Sequence, residues 1–567
     1  MTDALQQQVS LRFYQDILAR AGVLERSAQD PAQAAPQTSP KAASRTAART
    51  APQSVSQTQS QKPVQTPPQA ASQTPARTAS LSVPQAQPQV AVDLPISYVT
   101  DDSRNVRPQT LFVCKGAAFR REYLLQAIEA GAVAYVSERD YDVEIPFVQV
   151  NDIRATLGLL ADAAYDHPSG KVGVCAFTGT KGKTTSVYYL RGMLSAQARR
   201  SHRHEPAFLT GVEYDDGVEQ GGSKLTTPES FELERRIANA ASSGCNQLVM
   251  EASSQALKYR RTLGVDFEVG AFTNFGEDHI SPIEHPTMED YFASKTMLFN
   301  SCRTAVVNLD MDVSERVLEA AHAAGCERVL TYSLCTLDAD VTVLAYERRE
   351  NVIVARVRTP RFTDEFTIPS PAKFNLVNAL GAIACAEALG VSAQDMREGL
   401  AAAHVPGRME LYPGPSGRIV GIVDYAHNGM SLETLLRDLR DSYPGREIAV
   451  VFGATGGKGV DRRETMGVAA GKLADRIVIT EDDPGPEDPA DIARAIADAV
   501  ERQGNHAWQI VLDRSEAIQT AVRETEGRAV VVVTGKGNDP FMLRHGVREP
   551  YEPDGDQLQR ALAEWNG

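Results

Sequence analysis

The residues best suited to chemistry are Thr178-Gly179-Thr180-Lys181-Gly182-Lys183-Thr184-Thr185. The apolar run Val172 to Phe177 precedes them and reads as a buried parallel strand. Ser186 to Leu194 follows and reads as a helix. Strand, glycine-bearing loop and helix together make a phosphate-binding loop. Its backbone N–H groups wrap phosphates, and the helix N-terminus adds partial positive charge. Lys183 reaches the terminal phosphates and the Thr184 hydroxyl ligates Mg²⁺. Phe177 stands where the general nucleotide pattern has its first glycine. The competing reading is a glycine turn before an ordinary helix cap.

Neighbouring loops offer complementary groups. Glu251 closes the run Gln247-Leu248-Val249-Met250. An acid at such a strand end is placed to hold Mg²⁺ beside Thr184, and a plain strand-end acid is the alternative. Asn274-Phe275-Gly276-Glu277-Asp278-His279 follows the run Val269 to Thr273. His279 is either a metal or phosphate contact or a simple loop histidine. Lys295, in Tyr291-Phe292-Ala293-Ser294-Lys295, reads on its own as a solvated helix lysine.

These groups need a scaffold. A chain of 567 residues has room for about three or four domains. Its 42% hydrophobic and 23% charged residues are a globular mix. The net charge of −15 argues against a nucleic-acid surface, which needs clustered Lys and Arg. Seven cysteines without a C-x-x-C pair read as buried thiols of a reducing compartment. No basic-then-apolar leader opens the sequence and no run of about 18 apolar residues occurs, so a cytoplasmic protein without membrane insertion is expected.

Residues 4–25 fit one amphipathic helix, with Leu5, Val9, Phe13, Ile17 and Leu18 near one face. Residues 27–92 are almost wholly Gln, Ala, Pro, Ser and Thr, and read as a disordered linker that cannot bury enough surface to offset its ordering entropy. Residues 93–168 read as a small α/β domain and 169–406 as strand–helix repeats. In the latter, strands are expected at 172–177, 247–251, 268–273, 304–308 and 328–332. An antiparallel patch over 339–368 and an Ala-rich helix over 375–390 follow. Residues 407–567 read as a third α/β unit, with strands at 418–423, 447–452, 476–480 and 529–533 and ligand loops at their C-terminal ends.

Taken in order, the phosphate loop, Glu251-x-Ser253-Ser254, Asn274-x-x-x-Asp278-His279, Tyr291-x-x-x-Lys295, Gly407-Arg408-Met409-Glu410, Asp424-Tyr425-Ala426-His427-Asn428 and Gly535-Lys536-Gly537 resemble the Mur ligases. These are the ATP-dependent amide-bond ligases of peptidoglycan precursor assembly, and the resemblance covers about residues 95–567. It implies an α/β architecture of three domains. A small N-terminal domain would take the UDP-sugar, a central P-loop ATPase-like parallel-sheet domain would take ATP, and a C-terminal Rossmann-like domain would take the amino acid. By likeness, Thr184 and Glu251 hold one Mg²⁺. His279 and Lys295 serve a second Mg²⁺, with Lys295 carbamylated. Asn378 meets adenine, and Arg408 and Asp424 meet ATP when the C-terminal domain closes. Ser103 lies on the uridine side, and Thr226, Thr227, Ser253 and Arg261 face the muramoyl peptide. Lys181 replaces the family's usual Asn, and Gln255 its usual His.

The likeness is strongest to the members that add the third residue of the stem peptide, to UDP-N-acetylmuramoyl-L-Ala-D-Glu. ATP would turn the substrate carboxylate into an acyl phosphate, which the incoming amine attacks. Members adding meso-diaminopimelate carry an Asp-Asn-Pro-Arg loop. Here it reads Asp482-Asp483-Pro484-Gly485, without the Arg and among acids, and Asp539 adds another. By Coulomb sign this favours a far ammonium over a far carboxylate, hence L-lysine, with L-ornithine close behind. The alternative is that these acids only cap helices. Small-molecule substrates and a monomer are expected. The rivals are another ligase of the superfamily and a nucleotide-binding scaffold without catalysis.

Overall fold

The computed structural model describes residues 6–25 and 93–565, apart from 117, 279, 283 and 458. The linker expected over 27–92 lies outside the described residues.

The first domain is made of two pieces of chain. β1 (Val9–Ser10) and α1 (Leu11–Arg20) come from before the 27–92 segment. After it come β2 (Pro95–Ile96), β3 (Tyr98–Thr100), β4 (Thr110–Val113), α2 (Arg121–Glu129), β5 (Ala132–Ser137), β6 (Phe147–Gln149) and α3 (Ile153–Ala164). β3 to β6 form a parallel sheet in sequence order. The expected helix over 4–25 is thus shorter. Val9 and Ser10 pair antiparallel with Ile96 and Pro95 instead, because the β2 edge offers them backbone partners. α1 packs Leu11, Tyr14 and Leu18 into the core with Val99, Val113 and Leu160. Gln6 accepts from Val99 N (2.6 Å) and donates to Val99 O (3.0 Å), tying the N-terminal piece to the sheet.

The central domain contains β7 (Gly173–Thr178), α4 (Lys183–Arg200), β8 (Ala207–Leu209), β9 (Glu213–Asp215), β10 (Gln220–Gly222), α5 (Ser230–Ser243), β11 (Gln247–Glu251), α6 (Ser254–Lys258), β12 (Phe267–Phe272), α7 (Met288–Thr296), β13 (Cys302–Asn308), α8 (Ser314–Ala323), β14 (Arg328–Ser333), β15 (Val341–Arg349), β16 (Val352–Arg358), β17 (Thr363–Ile368), α9 (Lys373–Ala388) and α10 (Ala393–Ala401). All its strands join one sheet, ordered β10-β9-β8-β11-β7-β12-β13-β14-β15-β16-β17. Strands near the middle are continuous apolar runs because helices cover both faces. The expected antiparallel patch is β15–β17, and it extends this sheet. β7 lies between β11 and β12, where the strand order reverses, the usual place for a ligand crevice in an open parallel sheet.

The third domain runs through β18 (Glu410–Pro413), β19 (Ile419–Asp424), α11 (Gly429–Ser442), β20 (Glu447–Phe452), α12 (Asp461–Leu473), β21 (Arg476–Ile479), α13 (Pro489–Glu501), β22 (Trp508–Ile510), α14 (Arg514–Arg523), β23 (Ala529–Thr534), β24 (Phe541–Arg544), β25 (Val547–Pro550) and α15 (Asp554–Glu564). Its sheet order is β18-β19-β23-β20-β21-β22, parallel except at β18. β18, β22 and the β24–β25 hairpin were not expected, since each is too short to show a pattern. The domain docks on the central one through Arg348–Asp438 (2.8 Å), Ser442 Oγ donating to Pro371 O (3.0 Å) and Tyr443 OH donating to Asn351 Oδ1 (2.8 Å). All seven cysteines are free; against the expectation of buried thiols, Cys335 is exposed, standing in the turn after β14.

Where α5 of the central domain meets α3 and the turn at 168–170, Glu234 is fully buried and neither carboxylate oxygen has a partner among the described residues. Burial pushes its carboxyl well above the usual range, and the nearby Asp162 and Asp266 push the same way. The folded state therefore binds this proton more tightly than the unfolded chain. The stability it contributes is present below about pH 4.5 and is lost as pH rises through the folded pKa. The Glu234→Gln variant should flatten this loss. Its melting temperature should gain on the parent's as pH goes from 5 to 8, with a limiting slope of about 1.4 kcal/mol per pH unit. A difference independent of pH would count against the buried proton.

Candidate active site

The registers of β7 with its two neighbours build the site. Phe177 pairs with Glu251 on β11, and Thr178 with Phe272 on β12. Three strand ends are thereby level, and the loops beyond them converge.

The phosphate loop leaves β7 at Thr178 and enters α4 at Lys183. Gly182, at φ +80°, precedes the helix, and a Cβ there would lie 2.2 Å from Asn378 Oδ1. A Cβ on Gly179 would lie 2.0 Å from Thr273 Oγ1. Only glycine therefore lets the backbone wrap this tightly. The loop's far side is pinned from the β12 loop: Lys181 N donates to Asn274 Oδ1 (2.7 Å), and Asn274 Nδ2 donates to Lys181 O (2.9 Å). Thr180 Oγ1 donates to Gly276 O (3.2 Å) and receives the Gly276 N–H. Thr178 and Thr185 are buried parts of the loop wall.

Thr184 Oγ1 donates to Glu251 Oε1 at 2.9 Å, and Gly211 N donates to the same oxygen at 2.8 Å. A hydroxyl and a carboxylate side by side are hard oxygen donors of the kind Mg²⁺ takes together with phosphate oxygens and water. Among the described residues no group of three or more His, Cys, Asp or Glu side chains forms a metal cage. His279 lies outside the described residues.

Two lysines meet at one carbonyl. Lys183 Nζ donates to Gly179 O (2.9 Å) and Thr180 O (3.2 Å), and Lys295 Nζ donates to Gly179 O (2.7 Å). Lys295 is not the solvated helix residue its sequence alone describes: it is 1% exposed, over the Tyr291 ring. Burial, aided by the Lys183 charge, holds its ammonium well below the usual lysine range. Lys183 keeps some solvent contact and is also lowered, mainly by desolvation, with Glu251 opposing. Lys181, the residue that departs from the family's Asn, pairs with Asp278 at 2.9 Å.

The other expected residues fall into three groups. Asn378 is buried on α9 against the loop at Gly182, its Nδ2 donating to Asn375 Oδ1. Arg408 lies over the Tyr425 ring at 4.1 Å, and Asp424 accepts from Met409 N and Ala426 N. Burial raises the Asp424 carboxyl, with Arg408 opposing. Thr227 Oγ1 donates to Glu251 O (2.9 Å) and lies 3.3 Å from Ser253 Oγ, and Arg261 reaches Thr227 O (3.4 Å). Thr226 stands over Gly211 beside Glu251. Ser103 sits apart, in a turn of the first domain, donating to Gln126.

In the third domain the acids are less free than their number implies. Asp483 accepts from Lys536 at 3.0 Å and Asp539 approaches the same ammonium at 3.4 Å. Glu487 is held by Arg463, Glu481 by Arg544, and Asp488 caps α13. Asp482, like the capping Asp488, makes no ion pair with a described residue. It is buried against Gly535, and desolvation pushes its carboxyl up to about 6, against Arg514 and Lys536.

The sequence reading missed the charges at the junction of the first two domains: Lys115 pairs with Asp101 (3.0 Å) and Glu229 (2.6 Å), and Glu229 with Arg261 (2.8 Å). It also missed His285, buried between Ser254 and Asp290. Neither carries a spacing pattern that marks it.

The family model described as Mur ligase middle domain matches residues 177–386, and that described as Mur ligase, glutamate ligase domain matches 407–537. A UDP-N-acetylmuramoyl-L-alanyl-D-glutamate–L-lysine ligase of Streptococcus thermophilus is 38% identical over 82% of this chain and 92% of its own. The chain belongs to the Mur ligase family. A UDP-N-acetylmuramyl-tripeptide synthetase of Lactococcus lactis subsp. cremoris is also 38% identical to this Mur ligase, over 81% of this chain and 92% of its own. Among solved structures, a UDP-N-acetylmuramoyl-L-alanyl-D-glutamate–2,6-diaminopimelate ligase is 25% identical with a TM-score of 0.60, covering 85% of this chain and 97% of that one. A MurF ligase of Thermotoga maritima in complex with ADP shares the fold at 17% identity and a TM-score of 0.56, covering 82% and 97%. The three-domain α/β architecture and carbon–nitrogen ligase class that the sequence implied are those of this family.

Gly182→Ala tests the tight wrap. The new methyl must displace Asn378, and alanine at φ +80° is strained. The variant should melt lower than the parent by about 1–3 kcal/mol equivalent and lose nucleotide-induced stabilisation. An unchanged Mg-ADP thermal shift would contradict it.

Proposed function

We propose that this Mur ligase joins L-lysine to UDP-N-acetylmuramoyl-L-alanyl-D-glutamate, using ATP and Mg²⁺. One observation carries the ligation chemistry: Lys183 and Lys295 converge on Gly179 O, beside the Thr184–Glu251 pair, at the crevice of the central sheet. The choice of sugar dipeptide and amine is supported by the likeness to L-lysine ligases over most of both chains.

A carboxylate and an amine do not condense in water, because hydroxide leaves poorly. Phosphorylating the carboxylate supplies a good leaving group. Lys183 and the loop's N–H groups neutralise charge on the transferring phosphoryl group. Thr184 and Glu251 would hold Mg²⁺, which screens the phosphate oxygens. Lys295, whose ammonium burial holds well below the usual lysine range, would offer a free amine that adds CO₂ and releases a proton to give a carbamate. That group would serve a second Mg²⁺, together with His279. Asn378 would hold adenine, and Arg408 and Asp424 would meet ATP as the third domain closes. Ser103, Thr226, Thr227, Ser253 and Arg261 would line the path of the UDP-sugar peptide. The amine then attacks the acyl carbon to form the C–N bond. The C–O bond to phosphate breaks with its electron pair going to the phosphate, which leaves, and the proton lost from the amine goes to water or to that phosphate.

For the amine, Asp482 is the acid left to face a far ammonium, with Asp483 and Asp539 shaping its surroundings through Lys536. Lys536 and Arg544 near this loop are cations that would suit a far carboxylate, so diaminopimelate is the second reading. Both cations already hold acids, which favours lysine.

ADP release should be measured with L-lysine, L-ornithine and meso-diaminopimelate on the sugar dipeptide. L-lysine should give the highest kcat/KM; a preference for diaminopimelate would overturn the assignment. Asp482 carries its proton below about pH 6. The KM for L-lysine should therefore rise as pH falls through 6, and Asp482→Asn should have a high KM at every pH. Persistence of the same pH dependence in that variant would remove Asp482 from the site. Lys295→Ala should lose at least about 10²-fold in kcat and regain part of it with added short carboxylates. Full activity without rescue would take Lys295 out of the mechanism.

A further inference from the structure

We propose that His285 is a positioning residue for the ligation reaction, clasping the loop after β11 to the helix that carries Lys295 and so setting the spacing across the site. The inference rests on the function proposed above.

His285 is wholly buried and hydrogen-bonded at both ring nitrogens: Nδ1 lies 2.7 Å from Asp290 Oδ2 and Nε2 lies 3.0 Å from Ser254 Oγ. A carboxylate only accepts, so Nδ1 carries the proton; Nε2 then accepts from the Ser254 hydroxyl. Each partner stands at the start of a working element. Ser254 opens α6, next to Ser253, whose hydroxyl caps that helix by accepting from Ala256 N (3.2 Å). Ser253 N in turn donates to Thr227 Oγ1, which donates to Glu251 O. Asp290 sits in the first turn of α7, directly before Tyr291 and one turn and a residue before Lys295. The backbone of His285 closes the intervening loop: Ser281 N donates to its carbonyl (2.9 Å), just beyond position 279. Lys258 of α6 adds a second strap, to Asp290 Oδ2 (2.7 Å) and Glu284 O (3.1 Å).

His285 thus joins three pieces of chain, the Glu251–Ser253 side and the Lys295 helix through its ring and the loop after position 279 through its carbonyl. The order Ser254–His285–Asp290 is that of a nucleophile, base and orienting acid. Ser254 is only 5% exposed and His285 is not exposed at all, so no substrate reaches them. The arrangement therefore works as a clasp. Its value lies in placement, since a shift of about 1 Å in a catalytic group costs on the order of 10²-fold.

The test uses the full-length chain with His285→Ala, Ser254→Ala and their combination, scored by ADP release and by melting temperature with and without Mg-ADP. His285→Ala should lose about 10²-fold in kcat, keep KM for ATP within about threefold, and keep the Mg-ADP thermal shift, because Gly182, Lys183 and Asn378 are untouched. The double variant should be no worse than His285→Ala alone, as expected for groups acting in one chain. A kcat within about threefold of the parent, additive losses, or loss of the Mg-ADP shift along with activity would each overturn the proposal. So would labelling of Ser254 by a fluorophosphonate. If His285→Ala does not fold, Ser254→Ala must still lower kcat about tenfold for the clasp to stand. A parent that releases no ADP with any amine defeats the proposed function; an active parent matched by its variants defeats only the clasp.

Discussion

The ladders that β7 forms with β11 and β12 place everything else. Parallel pairing repeats evenly, so once Phe177 is opposite Glu251 and Thr178 opposite Phe272, no later adjustment can separate the phosphate loop from the acid or from Asn274. A slip of one residue would turn Glu251 toward the opposite face of the sheet. The apolar side chains of these strands, buried on both faces, make such a slip costly, and polar contacts such as Asn274 with Lys181 then fix the loop to within a hydrogen bond. The site depends on core packing first and on its own polar contacts second.

That division explains what could be read from the chain alone. The inner strands of the central and third domains are continuous apolar runs, and their positions agree with expectation to within a residue or two: 247–251 is β11 of the central domain and 447–452 is β20 of the third. Local chemistry was legible too. Glycine, lysine and threonine at fixed offsets name a phosphate loop because backbone wrapping and charge demand those types. Lys295 was not legible from its own surroundings: four neighbours on a helix do not show that Gly179 and Tyr291 enclose it. Only its place in an ordered set of motifs marked it. α1 shows the complementary gap. Its amphipathic pattern was plain, but its partner surface begins at Ile96, some seventy residues on in the sequence, and no local signal reports such a contact.

Charge needs the fold even more. Counting acids around Asp482 gives a strongly negative loop. The folded chain brings Arg463, Lys536 and Arg544 to this loop from outside it, and most of those acids become half of an ion pair. Coulomb's law was applied correctly to an incomplete list of charges. What survives is narrower: a single buried carboxyl, raised by desolvation and unpaired, against a glycine that leaves no room for a larger neighbour.

The same reasoning separates two of the buried acids that make no ion pair among the described residues. Glu234 and Asp482 are both desolvated, and in both the proton-bound form gains. Glu234 faces Asp162 and Asp266, so its neighbours add to the cost of ionising it at the interface between the first two domains. Asp482 faces Arg514 and Lys536, which offset its desolvation and leave it poised to ionise near neutral pH. An incoming ammonium would complete that offset. Desolvation alone therefore does not distinguish a structural acid from one suited to a substrate; the sign of the surrounding charges does, and in this chain that sign is set by residues far away in sequence.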